Sequence, residues 1–212
     1  DMEVDDEITG KRSWSAAHHP LPGNPADIQV NFFAHMATFR RTENGLTSTM
    51  EVTISAEDPI EVRRVHLIND SSRPRHLRLT SYGEVVLNEQ AADTRHPAYN
   101  KLFIESEYVQ ELNLLVYKHR KMIASKQPVF LGHMLVVNQP IGRNMSNTQV
   151  RFETDRRAFL GREHNQLNPY ALQSKTYLTG SAGSTLDPIF SLGKEIYLKP
   201  HDSATQIGRA SC

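Results

Sequence analysis

Leu46-Thr-Ser-Thr-Met-Glu-Val-Thr-Ile54 sets Leu46, Ser48, Met50, Val52 and Ile54 on one side of an extended chain and Thr47, Thr49, Glu51 and Thr53 on the other. Successive side chains of a strand point to opposite faces, so this two-residue period marks a strand with one face in a core. Thr42-Glu-Asn-Gly45 before it supplies a tight turn, and residues 28–41 are rich in aromatic and branched side chains. Together they predict a long β-hairpin. Glu57-Asp-Pro59 then breaks the strand, and residues 60–68 begin the next. Asn69-Asp-Ser-Ser-Arg-Pro74 is turn chemistry, and residues 77–87 return from it, which predicts a second hairpin.

Further strands are expected at 101–107, 113–119, 129–137, 149–153 and 175–178, with a final one at 196–198. Residues 88–100 are too long for a hairpin loop and read as a crossing connection or an excursion over a sheet face. Helical signals are confined to short turns at 155–160 and 169–174, because no stretch sustains the 3.6-residue period. The class is all-β: a large two-sheet antiparallel sandwich of a dozen or more strands, residues 1–212 forming one domain.

Lys plus Arg and Asp plus Glu both number 24, so no net field gathers nucleic acid or an anionic membrane around the chain. The single cysteine, Cys212, excludes an internal disulfide and a Cys-based metal site. No apolar run approaches the roughly 18 residues that span a bilayer. The acidic start, Asp1 to Glu7, is the opposite of a signal peptide's basic region. A lone thiol fits a reducing compartment.

Candidate chemistry is sparse. His18-His19 is the one adjacent histidine pair, and neighbours on a strand face opposite ways, so no metal and no cofactor is expected. There is no Gly-x-Ser-x-Gly and no phosphate-cradling glycine loop. Glu105/Glu107, Glu153/Asp155 and Glu84/Asp93 are carboxylate pairs of the kind glycosidases use, but each reads more simply as the polar face or end of a strand, so no catalytic residue is assigned. The segment Phe152-Glu-Thr-Asp-Arg-Arg-Ala-Phe-Leu-Gly-Arg-Glu-His164 packs three arginines and three acids beside two phenylalanines. Arginine–carboxylate forks build rigid donor arrays suited to sugar hydroxyls, and equally build a corner that merely fixes a loop. Ser13-Trp14-Ser15 carries the single tryptophan, which serves as a sugar-stacking platform or as a core packer.

The motif string Glu57-Asp-Pro-Ile-Glu-Val-Arg-Arg-Val65, Leu67-Ile-Asn-Asp-Ser-Ser-Arg-Pro-Arg75 and Leu79-Thr-Ser-Tyr-Gly-Glu-Val-Val-Leu87 resembles the amino-terminal region of glycoside hydrolase family 94. In order there follow Ala92-Asp93, His96-Pro-Ala98, Lys101-Leu-Phe103, Glu153-Thr-Asp-Arg156, Phe159-Leu-Gly-Arg162 and Leu186-Asp-Pro-Ile-Phe-Ser-Leu192. That family includes cellobiose and chitobiose phosphorylases, and this version is most similar to its cyclic β-1,2-glucan synthase branch. The resemblance implies a galactose mutarotase-like supersandwich, a fragment of a larger enzyme in which a helical linker and a catalytic (α/α)6 barrel follow. The general acid belongs to that barrel, so no catalytic residue is carried over. The implied role is a carbohydrate-binding or barrel-supporting module of a glycosyltransferase or glycoside phosphorylase; the alternative is a structural docking or dimerisation domain. The implied partners are a glucan or glucose-derived oligosaccharide and the adjoining barrel. Trp14, Asp155, Arg156 and Arg162 are the substrate-binding candidates. With the thiol argument, the resemblance places the domain on the cytoplasmic side of a parent anchored in the bacterial inner membrane. Family members often continue Gly-Arg-Gly where Glu163 follows Arg162 here. A free-standing sugar epimerase would need a His and a Glu converging in one pocket, which nothing in the spacing demands.

Overall fold

Every strand pairing among the described residues is antiparallel. A computed structural model describes residues 2–5, 12–17, 19–21, 27–120, 128–138, 149–173 and 177–211. The strands are β1 (Met2–Asp5), β2 (Arg12–Trp14), β3 (Ile28–Phe32), β4 (Ala37–Glu43), β5 (Leu46–Ile54), β6 (Ile60–Asn69), β7 (Arg75–Thr80) and β8 (Gly83–Glu84), then β9 (Ile104–Val109), β10 (Leu114–His119), β11 (Phe130–Asn138), β12 (Arg151–Asp155), β13 (Gly183–Ser184), β14 (Pro188–Leu198) and β15 (Ser203–Ser211). Short helices are α1 (Gln90–Arg95), α2 (Pro97–Lys101) and α3 (Arg156–Leu160). One sheet has the order β13-β9-β10-β11-β15-β6-β5-β4-β3; the other is β12-β14-β7-β1-β2, with β8 also on β14.

The sheets meet over two apolar clusters. In the first, Trp14, Leu77, Leu79, Ile196 and Leu198 of the smaller sheet face Leu46, Val65, Leu67 and Ala204 of the larger. In the second, Val85, Leu87 and Leu192 face Ile104, Leu115, Tyr117, Leu131 and Leu135. Tyr117 is fully buried, its hydroxyl donating to Ile189 O at 2.6 Å, and burial pushes its phenol well up. A third cluster joins Phe159 and Leu160 of α3 to Ala171, Leu172, Leu178 and Ile189.

The period-2 strand is β5, and its inner face holds at Leu46, 2% exposed, then runs out: Ile54 is 71% exposed where β5 projects beyond the core. Residues 28–41 are not one hairpin arm. Phe33 N–H donates to Met36 O at 2.8 Å and divides them into β3 and β4, so β3 to β6 form a four-strand meander.

The second expected hairpin is also corrected. β6 and β7 lie in different sheets, and residues 70–74 arch between them. Asn69 makes the arch. It is fully buried, its Nδ2 donates to Arg73 O at 2.7 Å and Lys199 O at 2.8 Å, and its Oδ1 accepts from Ser71 N–H at 3.1 Å. Asn69→Ala orphans those carbonyls and is expected to cost about 2 kcal/mol in urea unfolding; an unchanged midpoint refutes the role.

The strand expected over 77–87 stops at Thr80 and resumes only as β8. Residues 88–100 hold α1 and α2, which were not expected. Of the strand expected at 175–178, residues 175 and 176 lie outside the described residues, and Tyr177 and Leu178 are not in a strand. The expected 196–198 strand is the end of the longer β14, and β15 follows it without any expectation having been raised.

Candidate functional site

The end of β12 turns a corner held by a buried carboxylate. Glu153, 1% exposed, accepts from the N–H groups of Thr154 and Asp155, both at 2.9 Å, and from Thr179 N–H at 3.2 Å. The hydroxyls of Thr179 and Ser181 donate to it as well. Asp155 caps α3, its Oδ1 accepting from Arg157 N–H at 2.8 Å. α3 buries Phe159 and Leu160, and Phe159 packs against the Tyr82 ring with centroids 4.8 Å apart.

Gly161 ends α3 at φ +81°, ψ 166°, a region only glycine enters without strain. A Cβ there would sit 2.7 Å from Tyr170 Cβ. Gly161→Ala is expected to cost about 2 kcal/mol or more and to re-aim the loop that follows; thermal unfolding measures it, and a wild-type melting point contradicts it.

Arg156 is gripped at the start of α3. Its Nε lies 3.3 Å from Glu84 Oε1, within ion-pair range but off the line of a hydrogen bond, and Nη1 lies 3.6 Å from Asp187 Oδ2. Lys101 Nζ closes the set at 2.6 Å from Asp187 Oδ1. The hydrogen bond with Tyr82, and more weakly Glu84 and Asp187, hold the guanidinium still more firmly protonated, against the opposing effect of burial. Arg162 stands exposed just beyond Gly161.

The expected site residues therefore divide. Arg156 is fixed by carboxylates from β8 and from the bend before β14, Arg162 is presented outward, and Asp155 is spent on the helix cap. Trp14, 4% exposed in the first cluster, offers no ring face to a sugar, because β2 turns it onto Leu77 and Leu79. Among the carboxylate pairs, Glu153 and Asp155 are committed to backbone donors, Glu84 to Arg156, and Glu105 pairs with Arg120 at 3.1 Å. His18 and Cys212 lie outside the described residues.

A second feature escaped the sequence reading. A groove of about 370 Å³ runs along β12 and β14, floored by Gly180 and Gly193 and lined by Arg78, Arg151, Tyr177 and Glu195. The guanidinium carbon of Arg151 lies 4.2 Å from the Tyr177 ring centroid and that of Arg78 lies 5.4 Å from it. Burial lowers the Arg78 pKa, with Tyr177 and Glu195 opposing. Its parts are dispersed along the sequence, and no local motif announces them.

Two antiparallel sheets of nine and six strands closed over shared clusters define a β-supersandwich. The family model described as Glycosyl hydrolase 94, supersandwich domain, matches residues 4–208, and the chain belongs to that family. It is similar to the cyclic beta-(1,2)-glucan synthase NdvB of Rhizobium meliloti (strain 1021), with 31% identity over 191 residues, covering 90% of this chain and 6% of that protein. It is also similar to the solabiose phosphorylase of Paenibacillus borealis, 27% identical over 161 residues, 76% of this chain and 19% of that one. The chain thus spans a small part of the length of these relatives. A polysaccharide lyase of solved structure aligns over 99% of this chain and 24% of its own, with a TM-score of 0.46 and 12% identity. Among the described residues no helix is long and apolar enough to cross a membrane.

Proposed function

We propose that this domain, residues 1–212, is a non-catalytic carbohydrate-handling and barrel-supporting module of a larger glucan-processing enzyme of its family, with Arg156 and Arg162 at its working end. The observation that carries the reading is the contrast between these two arginines. Arg156 is clamped between Glu84 and Asp187, and six residues on Arg162 is delivered, uncommitted among the described residues, at the end of a helix with a buried apolar face. The clamped Arg156 is a pre-positioned donor that loses little side-chain freedom on meeting a sugar hydroxyl, and the exposed Arg162 adds a second donor within reach of solvent. The similarity to a cyclic glucan synthase and a phosphorylase, each far longer than this chain, supports a glucan or related oligosaccharide as the ligand and a further domain as the neighbour, for which the family resemblance implies an (α/α)6 barrel. The parent is then a glycosyltransferase or phosphorylase, membrane-anchored with this domain on the cytoplasmic side.

The test is an NMR titration of the 212-residue chain with linear and cyclic β-1,2-glucans, with cellobiose as control. Saturable shifts in residues 156–168 that disappear in Arg162→Ala are expected. An unresponsive loop at millimolar glucan removes the carbohydrate-handling half of the proposal.

A docking role has its own support. Among the described residues β3 is an edge of the larger sheet, and it and its neighbours expose Val30 (43%), Phe32 (80%), Phe33 (53%) and Ile54 (71%). Bare edges with large apolar side chains are where another domain or a second copy adds. Concentration-dependent sedimentation abolished by Phe32→Lys is the sign of self-association there.

A further inference from the structure

The last strand leaves a gap in the middle of the sandwich. Along β15 the inward positions are Ala204, Gln206, Gly208 and Ala210, and register sets Gln206 beside Val65, Gly208 between Arg63 and Leu135, and Ala210 between Glu61 and His133. The larger sheet thus has a trough one or two side chains deep between β6 and β11. Above it lie Leu79 to Tyr82 and Phe190 on the side of the smaller sheet, and Ser15 to Ala17 with His19 and Pro20 border it, leaving a cavity of about 180 Å³. The trough separates the two core clusters, and its walls carry Met50, Val65, Leu79, Leu135 and Phe190.

Two side chains lining this cavity lack partners for part of their polarity. Gln206 is fully buried, and neither its amide nitrogen nor its amide oxygen has a hydrogen bond; His133, 5% exposed, has none at Nδ1. His133 Nε2 is 2.8 Å from Ser81 Oγ. Ser81 Oγ also accepts from Leu192 N–H at 3.0 Å and lies 3.3 Å from Leu192 O, so Nε2 is committed to Ser81 and Nδ1 is the ring nitrogen left for a ligand. Buried amides without partners cost several kcal/mol in an apolar medium, so natural interiors retain few of them.

We propose that this inter-sheet cavity is a binding site for a neutral, hydroxyl-bearing molecule the size of a single sugar ring, held by Gln206 and His133. Size comes first: at roughly 30 Å³ per water the space equals about six waters. Water alone is a poor filling, because each buried water wants about three hydrogen bonds and most of this wall is apolar. A ring with C–H faces for Phe190, Leu79 and Leu135 and hydroxyls for an amide and an imidazole matches both parts. Charge comes second. Arg63 and Glu61 at the rim neutralise each other at 2.6 Å, and burial, with Arg63, keeps His133 uncharged at neutral pH, so nothing inside demands an anion or a cation. The Gln206 amide and His133 Nδ1 are both sealed from solvent as they stand, so binding requires these two side chains to turn toward the cavity they line. This site is separate from the Arg156–Arg162 end and does not depend on it.

The experiment follows the Gln206 side-chain amide and the His133 ring by NMR while D-glucose, glycerol and linear β-1,2-glucan are added to the 212-residue chain. Saturable shifts with glucose are expected at both side chains, with affinity at least about tenfold weaker in Gln206→Leu, which forfeits two hydrogen bonds. Gly208→Val fills the trough; a Cβ there meets only Arg63 O, at 3.8 Å, so the backbone accepts a side chain, and the variant, checked for an unchanged fold by its backbone NMR spectrum, is expected to lose binding. Arg162→Ala keeps it. A response to glucan but not glucose assigns the site to the end of a chain; glycerol as strong as glucose overturns ring-sized selection. No shift at Gln206 and His133 with any of the three, or shifts that persist in Gly208→Val, overturns the proposal.

Discussion

Glu153→Ala is expected to lower the stability of the domain by about 3 kcal/mol, because several donors at once lose the charged acceptor that satisfies them. The carboxylate collects donors from Thr154, Asp155, Thr179 and Ser181, and Ser106 joins the same knot through Thr154 Oγ1 at 3.1 Å. Removing it strands the buried Thr154 N–H, leaves those of Asp155 and Thr179 without their acceptor, and opens a void beneath the 177–181 strap. Glu153→Gln keeps the volume but turns an N–H₂ toward groups that already donate, so it recovers only part of the loss. Urea unfolding gives the magnitude. Proteolysis of the folded variant, with early cleavage near 177–181, separates loosening of this strap from a diffuse effect. A loss under about 1 kcal/mol would mean that the carboxylate is replaceable by packing alone.

The same knot shows what was legible in sequence. β5 announced itself because its inward face is apolar and its outward face polar over nine residues. β15 is as long and lies in the middle of the larger sheet, yet its inward Ala204, Gln206, Gly208 and Ala210 carry almost no hydrophobic signal. Small residues were selected there by space between sheets, which a periodicity cannot show. α1 and α2 were missed for a related reason: neither buries a single residue, so no amphipathic stripe exists to read. The β6–β7 arch was taken for a hairpin because turn chemistry is the same whether the chain returns to its own sheet or crosses to the other. Arg156 and Arg162 could be nominated since they share one local segment. Their counterparts Glu84, Lys101 and Asp187 come from three separate parts of the chain, and only the closed sandwich brings them together.

His133 gives the second large effect, a pH dependence in one direction. Burial lowers its pKa from 6.5 to about 4, with the charge of Arg63 adding. In the unfolded chain the imidazole takes up a proton as the pH falls through 6.5, while in the folded domain it stays neutral until about 4. The unfolded state binds more protons throughout that window, so stability falls with falling pH between them and levels off below; the full loss is about 3 kcal/mol. Carboxylates titrate over part of the same range, so the quantity to compare is wild type against His133→Leu. That substitution leaves Ser81 Oγ with Leu192 N–H at 3.0 Å and Leu192 O at 3.3 Å, and places an apolar side chain against Phe190, whose ring now lies 4.3 Å from the imidazole. Urea unfolding from pH 7 to pH 4 should therefore show the variant gaining on wild type by about 3 kcal/mol as the pH drops. Parallel curves would falsify a neutral, buried His133, and with it the uncharged interior on which the choice of a neutral ligand rests.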